Sequence, residues 1–154
     1  MAIEWLSILK SIPELLSGLG SLVKNNRATK DSLIRELRLN IKAFETASKT
    51  KKINFDKLVD LLHNEAIQTA RKERFTFNSI KAGKIEETDI YDKRNLRFAG
   101  KDCNWLFKNI DEKIEDLRIQ KNYNDSLNNL ENSNISLQFS NLFYKLKLLA
   151  DYIQ

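Results

Sequence analysis

At 154 residues and 18.0 kDa, with 42% hydrophobic and 31% charged side chains, the chain is one domain in size and too apolar for a disordered tail. A single cysteine excludes an internal disulfide framework and a cysteine-rich metal site, and a single histidine excludes paired-histidine zinc chemistry. Lys and Arg outnumber Asp and Glu by 26 to 21, a net charge of +5, and one proline with four glycines leaves little punctuation for many short strands.

The first predicted element is a helix from Ala2 to about Val23, with Ile3, Trp5, Leu6, Ile8, Leu9, Ile12, Leu15, Leu16, Leu19 and Leu22 at helical spacing. Ser11-Ile12-Pro13-Glu14 fits a capping box with proline in the first turn, so the helix is expected to kink or restart near Pro13. Gly18 and Gly20 would allow close approach of a neighbouring helix. The second helix is expected over Lys30 to Lys49. Leu33, Leu37, Ile41 and Phe44 form its apolar face, and Arg35, Arg38, Lys42 and Lys49 lie nearly opposite. Ile34 and Leu39 fall off the main apolar stripe and are the expected partner contacts.

The third helix is expected as one continuous element from Phe55 to about Arg74, capped by Asn54 or Asp56. Arg71, Lys72 and Arg74 suit the negative end of its dipole. Phe75 to Lys101 has no sustained period and reads as a long irregular segment that its aromatic residues pack down. A fourth helix follows Asp102, a plausible N-cap, to Lys121. Cys103, Leu106, Phe107, Ile110, Ile114 and Leu117 face inward, and Asp111, Glu112, Glu115 and Asp116 outward. Asn122 to Asn132 reads as a loop, and a last helix spans Asn134 to Ile153. The expected architecture is all-α: one antiparallel four- or five-helix bundle over residues 1–154 with a kinked N-terminal helix.

Charge is segregated along the chain. Residues 24–52 carry nine basic and three acidic side chains, residues 71–101 nine and five, and residues 102–154 six and eight. Arg35, Arg38, Lys42, Lys49, Arg71, Lys72, Arg74, Arg94 and Arg97 are the expected contacts to an anion or nucleic acid. Phe75, Phe77 and Phe98 could either stack on bases or plug the core under the irregular segment.

His63, with Glu65 nearby, is the one candidate general base. The Arg-x(4–6)-His signature of HEPN ribonucleases, which are helical bundles, fails at its arginine: Lys57 stands there. Cys103 lies on the apolar stripe and reads as a buried small hydrophobe. No residue pattern asks for a metal or a cofactor. No stretch reaches the ~20 apolar residues that span a bilayer. Residues 1–23 carry only Lys10 before Lys24, which argues against a peripheral membrane helix. A reduced, cytoplasmic, bacterial protein is expected. The composite expectation is a small non-enzymatic bundle that binds another macromolecule, foremost a protein or a second copy of itself. The alternatives are a basic nucleic-acid-binding module in regulation or bacterial defence, and an atypical HEPN-like ribonuclease using His63.

Overall fold

The structure, a computed structural model, describes residues 12–22, 28–128, 130 and 134–154. The expectations for residues 2–11 lie outside the described residues, including Ser11 of the capping box. Six α-helices are described: α1 (Ile12–Leu22), α2 (Ala28–Ser48), α3 (Phe55–Leu61), α4 (Glu65–Lys72), α5 (Cys103–Asn124) and α6 (Ile135–Ile153). Three 3-10 turns, Phe77–Ser79, Glu87–Asp89 and Lys93–Phe98, fill the connection from α4 to α5. The fold is an all-α helical bundle, with no strand among the described residues.

The apolar stripes of the helices meet in one core that runs from Ile12 to Ile153. α6 sits at its centre, packed against α1, α2, α5 and the Lys93–Phe98 turn. A helix contacted by several neighbours buries more than one stripe. Phe139, Leu142, Phe143, Leu146 and Leu149 are inside, and so are Tyr144, Leu148 and Tyr152 on other faces. Phe44 of α2 meets Phe139 edge-on at 6.2 Å and Phe143 at 5.2 Å. At each large core residue, removal of the side chain would cost ~3–5 kcal/mol. α1 buries Leu15 and Leu19, with Pro13 exposed in its first turn. A Cβ at Gly18 would run into the Gln154 side chain, so α1 passes close to the C-terminal end of α6.

The irregular segment is tied down by backbone and ring contacts. Ile85 N–H donates to the Lys101 carbonyl at 2.7 Å, and Gly100 N–H donates back to the Ile85 carbonyl at 2.8 Å. Gly100 sits at φ +88°, where a side chain would be strained. Phe77 stacks on Phe107 at 5.0 Å and Phe75 meets Phe77 edge-on at 5.6 Å. Phe77 and Phe98 are buried and Phe75 is half-buried, so these rings plug the core.

Three sequence expectations need correction. The expected continuous helix from Phe55 to Arg74 is broken at Leu62-His63-Asn64. Asp111, expected to face outward, is buried between α5 and α4. Helix α5 runs three residues past Lys121 and stops at Asp125, which takes a left-handed φ of +62°. Asp102 caps α5 as expected, accepting from Trp105 N–H at 2.8 Å, and Asn54 caps α3 through Lys57 N–H at 3.1 Å. Among the described residues no helix is long and apolar enough to cross a membrane.

Candidate interaction site around His63 and the outer face of α2

The break between α3 and α4 is made by polar side chains from distant helices. A helix interrupted inside a protein leaves backbone groups that need other partners. Asn40 of α2, 1% exposed, supplies two: its amide donates to the His63 carbonyl at 2.8 Å, and its Oδ1 accepts from His63 N–H at 2.7 Å. Arg118 of α5 donates to the Leu62 carbonyl at 2.7 Å and to Asn64 Oδ1 at 2.6 Å. Glu36 of α2 accepts from Ala66 N–H at 2.6 Å and Ile67 N–H at 3.2 Å, capping α4 across the bundle. Burial pushes the Glu36 carboxyl above its ordinary value, and these two N–H donors oppose that shift.

Asn64 is the hub of the break. Its amide donates at 2.8 Å to both Asp111 Oδ1 and Glu115 Oε1. Glu115 also accepts from Gln68 at 3.1 Å and Arg118 at 3.0 Å, and the Asn64 hydrogen bond holds its carboxyl below the usual range. Arg71 donates to the other Asp111 oxygen at 2.6 Å. This network fixes the three-residue break and leaves the His63 side chain outside, 47% exposed, with Nδ1 3.5 Å from Glu65.

The break opens a surface cleft of about 200 Å³ lined by Leu39, Lys42, Ala43, Thr46, Leu61 and His63. Leu39 is 52% exposed and Leu61 46%. Helical spacing sets Arg35, Arg38 and Lys42 along the same outer side of α2, with Lys49 in the turn just past its end. All four are exposed, and among the described residues none has an ion-pair partner.

The remaining expected site residues fall elsewhere. Arg71 is committed to Asp111, and Lys72 and Arg74 are exposed at the end of α4. Arg94 lies 5.1 Å over the Tyr144 ring and Arg97 4.7 Å from the centre of Phe98, both on the Lys93–Phe98 turn against α6. Ile34 is 0% exposed, because α2 packs against α1, α3, α4 and α6 and so buries a wider face than one stripe. It is corrected from partner contact to core; Leu39 is on the surface. Cys103 is buried, and burial pushes its thiol up to about 12. Among the described residues no three His, Cys, Asp or Glu side chains are grouped to hold a metal ion. Leu61 is not among the expected contacts, because in one continuous helix from Phe55 it would share the apolar face with Leu58, Leu62, Ala66, Ile67 and Ala70; the break leaves it half exposed. No family model, curated protein or solved structure matches this chain.

Proposed function

We propose that this protein is a binding module whose partner is another protein, engaged through the cleft beside His63. The observation that carries this reading is the pairing of half-exposed Leu39 and Leu61 in one cleft with Lys42, along a helix side that also carries Arg35 and Arg38, with Lys49 just past its end. A large apolar centre with a charged rim is the anatomy of a protein contact. The unpaired cations select an acidic, amphipathic segment with an apolar anchor for the Leu39–Leu61 cleft. Asn40 and Asn64 keep the cleft wall in one arrangement, which lowers the ordering cost on binding.

The test is a photo-crosslinking residue placed at Leu39 in the cells that make the protein, with a second at Glu112 on α5 as control. A protein adduct of defined mass at Leu39 and not at Glu112 is expected. Absence of an adduct at Leu39, or equal adducts at both positions, overturns the reading. Nucleic-acid contact is a second reading, favoured by the four unpaired cations on and just past α2. It predicts a nuclease-sensitive adduct, and affinity that falls with salt at a log–log slope of about −0.9 per neutralised duplex phosphate.

A further inference from the structure

We infer that the protein has a binding site for a phosphate group where Arg97, Lys101 and Lys145 converge on the rings of Phe98 and Trp105. This site lies on the Lys93–Phe98 turn, the start of α5 and α6, and is independent of the α2 cleft. The two rings pack at 5.4 Å. Arg97 and Lys145 share the Phe98 ring, at 4.7 and 5.9 Å from its centre. Lys101 and Lys145 share the Trp105 ring, at 5.1 and 6.0 Å.

Among the described residues none of these three cations has a carboxylate within ion-pair distance. Arg97 reaches only the Asn141 amide oxygen at 3.2 Å, and Lys145 only that of Asn109 at 3.5 Å. The nearest acid in sequence, Asp102, is already occupied by Trp105 N–H and by the Asn78 amide. Lys113, by contrast, has Asp116 at 3.4 Å. Lys145 is half-buried, and burial, then the charges of Lys113 and Arg97, hold its ammonium below the ordinary lysine range. A desolvated cation beside like charges is unfavourable unless an anion offsets it.

The chemistry selects phosphate over a single carboxylate. Two ammonium point charges and one guanidinium fork match a tetrahedral oxyanion with several acceptor oxygens. A free phosphate and the phosphodiester of a nucleic acid strand share this chemistry.

Trp105 reports on the site directly. In a Trp5→Phe protein it is the sole indole, and its fluorescence is followed while sodium pyrophosphate or a short oligothymidylate is added at about 50 and 200 mM salt. A saturable change that weakens with salt is expected. Lys145→Met and Lys101→Met should each weaken binding about tenfold, the size of a lost charge-assisted contact. Lys57→Gln on α3 should leave it unchanged. Lys145→Met should melt no lower than the parent, because it removes an unfavourable charge; if it does not fold, the exposed Lys101→Met carries the test. Binding of pyrophosphate identifies a free phosphate as ligand, and binding of the oligonucleotide alone identifies a phosphodiester. No saturable change with either, undiminished binding by the variants, or equal binding of a polyglutamate peptide overturns the assignment.

Discussion

Asn40 closes both backbone hydrogen bonds of His63 with one side chain, donating at 2.8 Å and accepting at 2.7 Å across 23 residues of sequence. A side-chain amide carries a donor and an acceptor on neighbouring atoms, as a peptide group does. The result is a helix cut open at Leu62-His63-Asn64, with a cleft beside it.

Asn40→Ala should therefore lose more than an ordinary surface change. It leaves one buried donor and one buried acceptor without partners, at a cost of ~1–3 kcal/mol each before water enters. Amide hydrogen exchange at His63 should accelerate while α6 stays protected. Unchanged exchange at His63 in Asn40→Ala would show that the clamp does not hold the break.

Leu39→Glu makes the opposite prediction. Its side chain is half exposed, so stability should move by no more than ~0.5 kcal/mol in a denaturant titration. The Leu39-centred contact should nonetheless be lost, read by crosslinking from Lys42 in place of Leu39. Charge reversal at Arg35 and Arg38 should weaken the same adduct and leave the melting temperature nearly unchanged.

Glu115 gives a pH-dependent test of the Asn64 hub. Its folded carboxyl titrates below the ordinary 4.5, chiefly through the Asn64 hydrogen bond and then Arg118, so its pairing stabilises the fold above that pH. The contribution disappears as pH falls through the lowered value. Asn64→Ala should move the Glu115 midpoint upward in a carboxyl-carbon NMR titration and flatten the acid side of the stability curve. A midpoint that does not move would mean that Arg118 and Gln68 set it.

Cys103 should be chemically silent in the native protein. Its thiol is buried and pushed up to about 12, so almost no thiolate exists at pH 8. Reaction with a disulfide reagent should occur only at the rate of unfolding, and denaturant should release one fast-reacting thiol. A fast reaction without denaturant would contradict the burial.

Much of the helical framework is legible in the order of residues. Leu33, Leu37, Ile41 and Phe44 place α2 with its inner side, and Asp102 followed by Cys103, Leu106 and Phe107 marks the start of α5. These are local signals: apolar period and capping chemistry act within one or two turns. The exposed cations of α2 are legible for the same reason, lying opposite a clear stripe.

What local pattern does not contain is which distant polar group will replace a helical hydrogen bond. Nothing between Phe55 and Arg74 forbids one continuous helix; Glu36, Asn40 and Arg118 break it from α2 and α5. Asp111 is inward because Asn64 and Arg71 come to it, and Ile34 is core because four helices crowd α2. Arg97, Lys101 and Lys145 gather around the Phe98 and Trp105 rings because α6 packs against the Lys93–Phe98 turn. The sequence alone determined which stretches coil and which sides shed water, because those depend on neighbours three or four residues away. Tertiary packing decided where a helix stops, which charges pair and which side chains share a surface, because those depend on groups far along the chain that only the folded core brings within hydrogen-bonding reach.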